Sequence, residues 1–416
     1  MINLPTKMTR SEYEIESFKI FLSSQTDPIV IDKNNINEIY IEKDYESDHF
    51  PIIYINFNTN PELYYKIVED KLNVKFHLRL QKIHKNENLD YNYKEDIIND
   101  IFCTYSDIST PFLNKDLFES RKETENSDVV MNNMYERTVI YLYKESDMNN
   151  SKKIFNTVIS EANLTDIITY CLYNSGIKNV LMSPLQNKNK YKEVLLPPIT
   201  TLSTLKYLEH QYDGFYNNPA LIFFDIDAVY IIDSGLESKV YRKQEPEQTI
   251  FTVRNVTDAD SASSGSVLLT EEKKYVINVN HDALAITSIT VKSDQIEGNN
   301  YIIINPNTGK TSVIKSDTVQ RGDGTYRILV NKFNNNKIQD FLIKRKKEEG
   351  CIISLNLKDV DLKALTPNKE FLFVFEDQKV NKEFGGKYRL VKSMDIFIKD
   401  GEEFKVSSNC NFKKIK

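Results

Sequence analysis

The chain has 416 residues, a formal net charge of −6, 24 Tyr, 22 Phe, no Trp and only 12 Gly. That length exceeds one ordinary core and predicts two or three domains, while the balanced charge argues against an extensive nucleic-acid-binding surface and the scarcity of Gly excludes fibrous architectures. The four cysteines, Cys103, Cys171, Cys351 and Cys410, stand far apart without C-x-x-C spacing, which speaks against a disulfide framework or a structural zinc site.

The first residues, MINLPTKMTRSEYEIE, contain no apolar core of a signal peptide, and no run approaches the roughly 18 apolar residues of a membrane span. The expectation is a chain without a membrane span, made in a cytoplasm. Strands are expected at Tyr13 to Leu22, Ile36 to Ile41 and Pro51 to Phe57. Asn60-Pro61 opens a short helix through about Glu69. In the next strand Val74, Phe76, Leu78 and Leu80 alternate with Lys75, His77, Arg79 and Gln81, so one face is expected buried and the other wet. His77 and His84 lack a partner at metal-ligand spacing. Residues 85 to 133 read as a polar insertion with one short helix at Ile97 to Tyr105, and Thr138 to Tyr143 returns as a strand.

Two helices follow. Asn163 is placed to cap the first, Asp166 stands in its first turn and Gly176 follows its last. Its apolar residues Leu164, Ile167, Ile168, Cys171 and Leu172 lie on one side. The second starts after Pro197-Pro198, with Thr201 as the expected cap, carries Leu202, Leu205, Leu208 and Tyr212, and ends at Gly214. Ala220 to Phe224 and Val229 to Ile232 are expected strands on either side of Asp225-Ile226-Asp227.

From Ser238 the chain is β-rich to its last residues. Strands are expected at Gln248 to Arg254, Lys274 to Val279, Ala285 to Val291, Asn300 to Ile304, Tyr326 to Val330, Cys351 to Leu357, Phe371 to Phe375, Lys387 to Ile398 and Glu403 to Ser407. Asp400-Gly401 predicts a hairpin between the last two. The layout is α+β, mainly β: two β-barrel-like domains with a helical α/β insert between them. Residues 1–145 form the first, with the polar insertion at about 85–133, residues 146–236 form the insert, and residues 237–416 form the second.

One motif invites a catalytic reading. Leu221 to Ile231, LIFFDIDAVYI, resembles the strand and Asp-x-Asp of haloacid-dehalogenase-type phosphatases, where Asp225 would be nucleophile and magnesium ligand and Asp227 general acid. That fold needs alternating strands and helices after the motif, and here an all-β run follows. The two acids read better as flanks of a tight turn. No G-x-S-x-G, P-loop, G-x-G-x-x-G or H-E-x-x-H occurs, and the five histidines are scattered. The expectation is no catalytic, cofactor-binding or metal residues: a structural or binding protein.

Thr165 to Ile177, Leu202 to Tyr216 and Pro219 to Asp225 resemble the conserved run of the baseplate hub proteins of contractile-tailed phages, including the hub part of type VI secretion spike proteins. In that family a helix "t-d-I-I-x-Y-x-L-x-x-x-G-I" precedes one ending in "Y-G-x-Y" and a strand "P-L-x-F-F-D". The inserted Asp213 in Tyr212-Asp213-Gly214 departs from the pattern, and Gly386 to Val391 looks like the family's closing strands. The resemblance implies a homotrimer of subunits with two barrels each, joining the sixfold tail tube protein to the threefold central spike protein, with the tape-measure protein a further partner. DNA would pass through without specific binding. It implies a virion protein made in the host bacterial cytoplasm. The alternative from sequence is another tail protein that binds host-surface glycans.

Overall fold

Alternating apolar residues set most of the chain as half-buried strands. The computed structural model describes residues 12–47, 50–84, 93–104, 136–240, 248–254, 267–269, 274–289, 300–304, 311–314, 326–330, 350–401 and 403–415. In chain order the first unit holds β1 (Glu12–Phe21), β2 (Ile29–Ile31), β3 (Ile36–Asp44), β4 (Ile52–Thr59), α1 (Pro61–Glu69), β5 (Lys75–His84), β6 (Tyr93–Thr104) and β7 (Glu136–Lys144). The insert holds α2 (Glu145–Ser151), β8 (Thr157–Asn163), α3 (Leu164–Ser175), β9 (Val180–Met182), β10 (Lys190–Leu196), α4 (Thr201–Gln211), β11 (Ala220–Phe224) and β12 (Val229–Asp233). The rest holds β13 (Gln248–Arg254), β14 (Val267–Leu269), β15 (Lys274–Asn280), β16 (Leu284–Ile289), β17 (Asn300–Ile304), β18 (Thr311–Ile314), β19 (Tyr326–Val330), β20 (Gly350–Lys358), β21 (Glu370–Phe375), α5 (Gln378–Phe384), β22 (Gly386–Asp400) and β23 (Glu403–Lys414).

The protein is mainly β. Its first unit is a closed antiparallel barrel in the order β22-β3-β4-β7-β6-β5-β1-β23, and the β22–β23 pairing completes the ring. Tyr13, Phe18, Ile39, Ile55, Phe57, Phe76, Leu78, Ile140 and Leu142 fill it, with Phe397, Phe404 and Val406 from the last hairpin. The second unit is barrel-like, in the order β14-β15-β13-β21-β22-β23-β20-β16, and packs Phe251, Ile277, Leu355, Phe371, Phe373, Tyr388 and Phe412. β17 to β19 form a separate small sheet.

The hairpin Gly386–Lys414 therefore serves both units. Its base pairs with the second: Gly386 to Tyr388 with β21, and Ser407 to Lys413 with β20. Its far half pairs with the first: Lys392 to Ile398 with β3, and Phe404 with Tyr13. A bulge between Leu390 and Lys392 marks the crossing, and the Val391 carbonyl accepts the Tyr45 amide at 3.0 Å. Beyond the shared strands, buried Lys82 pairs with buried Asp361 at 2.7 Å, and Lys363 pairs with Glu95 at 2.6 Å. Residues 386–414, assigned from sequence to the second unit, thus also close the first.

The insert keeps its own core, including Leu164, Ile167, Ile168, Cys171, Leu205, Leu208 and Phe215. The Asn163 side chain accepts from the Asp166 amide, and Gly176 ends α3 at φ 81°. The expected cap of α4 shifts by one: Thr200 is the N-cap, and Thr201 turns inward to bond Ser175 at 2.6 Å.

Two other expectations need correction. The short helix at 97–105 is strand over Ile97 to Thr104, because β6 pairs along the full length of β5. Gln81, placed on the wet face, is buried and donates to Asp96 at 2.6 Å. Residues 85–92 and 105–133 of the polar insertion lie outside the described residues.

Candidate functional site at the junction of three cores

The hairpin β11–β12 carries the Asp-x-Asp segment and meets all three cores. Its alternating side chains divide: Ile222, Phe224, Val229 and Ile231 enter the insert core. Phe223, Ala228, Tyr230 and Ile232 enter the second unit's core. Ile226, at the tip, joins the core of the first barrel. Period-two alternation supplies the two faces, and the turn supplies the third contact.

The turn itself is tight. The Asp225 amide donates to the Ala228 carbonyl at 2.9 Å, and the Ile226 amide to Asp225 Oδ1 at 2.7 Å. Two lysines of the first barrel grip it. Lys144 Nζ donates to the Ile226 carbonyl at 2.8 Å and pairs with Asp100 at 3.0 Å. Lys43 Nζ lies 3.6 Å from Asp225 Oδ1 and 3.4 Å from Asp395 Oδ2. One ammonium thus ties β3, β22 and the insert tip together. Ser408 Oγ donates to Asp395 at 2.7 Å, and the hydroxyls of Tyr45 and Ser393 meet at 3.3 Å. Tyr230 Oη donates to Asp227 at 3.4 Å.

Burial pushes the Asp225 carboxyl up; Lys43 opposes this, and Asp227 and Asp395 add to it. Burial pulls Lys43 down, but Asp225, Tyr45 and Asp395 outweigh it and hold the ammonium well above its usual range. Burial, with Asp395 beside it, raises the Cys410 thiol well above the usual thiol range.

The arrangement is a clasp. Asp225 is 5% exposed and engaged by Lys43, so it does not face a substrate space as a nucleophile would. Among the described residues no group of three or more His, Cys, Asp or Glu side chains is gathered for a metal ion. Asp225 and Asp227 flank the tight turn, as their spacing suggested.

Lys43 and Asp395 escaped the sequence reading. Lys43 continues the inward row of Ile39 and Ile41, which was a usable signal. Asp395 follows buried Ser393 and precedes Phe397, but the bulge after Leu390 shifts the inward positions from even to odd numbers and hides the row.

No curated protein matches the chain. Among solved structures, a tail protein from Neisseria meningitidis MC58 superposes with a TM-score of 0.53 at 9% identity, covering 97% of this chain and 96% of that one. The 43 kDa tail protein of prophage MuSo2 from Shewanella oneidensis gives 0.49 at 9% identity, covering 95% and 98%. A chain of the Francisella PdpA–VgrG complex gives 0.49 at 11% identity, covering 98% of this chain and 53% of that one, so the present chain spans about half its length. The likeness to the Neisseria tail protein is one of fold, and the resemblance carried by Thr165 to Asp225 holds at that level. Residues 3–415 match the Bacteriophage PBS1 gene 109 protein family, and the chain belongs to that family.

Proposed function

We propose that the protein is a structural component of the phage tail, the central hub of the baseplate. Membership in a phage family across residues 3–415 supports a virion role, and the whole-chain likeness to a tail protein supports the tail as its place. The observation that carries the hub reading is the shared hairpin Gly386–Lys414, which joins two barrel units into one body. A homotrimer of such bodies presents six barrel units around a threefold axis, the geometry needed between a sixfold tube and a threefold spike. The tail tube protein and the spike protein are then its partners, with the tape-measure protein a third. DNA passes through the ring without specific binding, and the net charge of −6 suits that passage. The role is mechanical, and the chain acts without a catalytic step.

Light scattering on the purified chain, followed by negative-stain imaging, tests the reading. The expected result is a stable trimer with a central hole, formed alone or on adding spike protein. A monomer that associates with neither tube nor spike protein refutes it and favours a host-glycan-binding tail protein.

A further inference from the structure

The ribbon of β8 and β10 has one covered edge and one open edge. On the β10 side, the Leu195 amide donates to the hydroxyl of Tyr212, the residue that ends α4, at 3.1 Å. That amide points away from β8, so Leu195 and its partner Val158 form a non-hydrogen-bonded pair, and the backbone groups of Val158 point away from β10. The bridge between Ile154 and Thr200 has the same phase. The Phe155 amide donates to the Ile199 carbonyl at 3.3 Å, which leaves Ile154 facing outward with Val158. Alternation adds Ser160. β8 pairs with β10 alone among the described strands, and the N–H and C=O groups of Ile154, Val158 and Ser160 find no partner among the described residues.

Open edges in native proteins are normally guarded by charge or proline, and from Ile154 to Ser160 this edge carries neither. The side chains beside it are apolar and exposed instead: Ile154 at 62%, Val158 at 54%, and Leu195 at 50% across the ribbon from Val158. Tyr170 of α3, also exposed, lies against Phe155 with ring centroids 6.3 Å apart, so apolar surface is offered on both faces of the strand. Lys152 and Lys153, both exposed, stand at the start of the edge, and neither has an acidic partner among the described residues. At its other end Glu161, with φ 54°, interrupts the extended run.

We propose that the β8 edge accepts a third strand: an extended segment of another protein, with apolar residues at alternate positions and acidic residues beside Lys152 and Lys153. The backbone groups of Ile154, Val158 and Ser160 select extended chain, the exposed row of Ile154, Val158 and Leu195 selects apolar side chains on one face, and the two lysines select acids at one end. A lipid surface would cover the apolar row but leave the edge N–H and C=O groups unsatisfied. The site rests on the ribbon alone and stands whether or not the protein is a tail hub.

The test uses the full chain and a fluorescent peptide, Asp-Asp-Val-Thr-Val-Thr-Val-Asp-Asp, read by anisotropy; acids at both ends let either strand direction set one beside Lys152 and Lys153. Two further peptides carry N-methyl groups on alternate residues, one in each phase. In an added strand only every second N–H faces β8, so one phase is expected to lose binding by about tenfold or more and the other to keep it. Exchanging the Asp residues for Lys is expected to weaken binding, with a difference that shrinks as salt rises. Val158→Lys is expected to weaken binding by about tenfold, because a charge at an edge opposes strand addition, and Leu72→Lys, at an exposed site in the first unit, to leave it unchanged. The methylated peptides decide even where Val158→Lys fails to fold. An absence of binding, equal binding by the two methylated phases or by the lysine peptide, or unchanged binding by folded Val158→Lys overturns the proposal. So does dimerisation that Val158→Lys abolishes, which gives the edge to a second copy of the chain. The hub reading stands or falls on the trimer with a central hole, so the two failures are distinguishable.

Discussion

Phe397→Ala tests whether the first barrel depends on the chain's last hairpin. Phe397 is fully buried, sits edge-to-face with Tyr13 at 5.2 Å, and pairs with Ile39 of β3 and Val406 of β23. Removing a buried phenyl ring costs about 3–5 kcal/mol in lost transfer energy and cavity formation. A native chain holds only about 5–15 kcal/mol in total. The question is where the loss is felt. Because β22 and β23 close the ring between β3 and β1, the loss should reach residues 12–57, more than 300 positions earlier in sequence. Hydrogen exchange followed by mass spectrometry reads it directly. At about tenfold per 1.4 kcal/mol, protection of β1, β3 and β4 is expected to fall by roughly two to three and a half orders of magnitude where exchange follows global opening. Unchanged protection across residues 12–57, with loss confined to 386–414, would refute the closed-barrel argument.

Lys43→Met leaves Asp225 and Asp395 without their shared ammonium and is expected to cost about 3–5 kcal/mol by urea denaturation. Asp225→Asn keeps the Lys43–Asp395 pair and is expected to cost clearly less, about 1–2 kcal/mol; equal losses would argue against a shared clasp. Asn163→Ala removes the α3 cap and should cost about 1 kcal/mol in the same assay. The raised Lys43 pKa sets an alkaline limit: its stabilisation is complete below the unfolded lysine value of about 10.4 and is lost as pH rises through the folded value. Buried Tyr45, raised chiefly by burial, acts in the same direction from its unfolded value of about 10. The urea midpoint is therefore expected to fall above about pH 10, and less steeply in Lys43→Met; identical slopes would remove Lys43 as the cause.

Local structure was legible where one physical signal dominated. The alternation of Val74, Phe76, Leu78 and Leu80 marks a strand with one dry face, and Asn163 and Gly176 bracket α3. β8 and β10 were missed because a two-stranded ribbon buries little: Val158 and Leu195 face each other across it, both exposed, so the apolar alternation is broken. β6 read as helix in part because its buried residues Ile98 and Phe102 are four apart, a spacing common to a helix face and every second position of a strand. The clasp was illegible for a different reason. Lys43, Asp225 and Asp395 lie in three separate segments, and their meeting is a property of topology.

That topology also orders folding. β1 and β3 lack their closing neighbours until β22 and β23 have paired, so the first barrel cannot close on the contacts of residues 12–144 alone. Contacts of such long sequence separation form slowly, because loop-closure entropy must be overcome before they contribute. Until then the edges of β1 and β3 remain open to pairing with another chain. The insert tip follows the same logic, since Ile226 enters a barrel core whose wall includes Phe397 and Phe404, and Lys43 reaches Asp225 beside Asp395 of that wall. Closure by the last hairpin thus fixes both units and the insert in one step, and a chain with open barrel edges gives way to one whose first barrel has none.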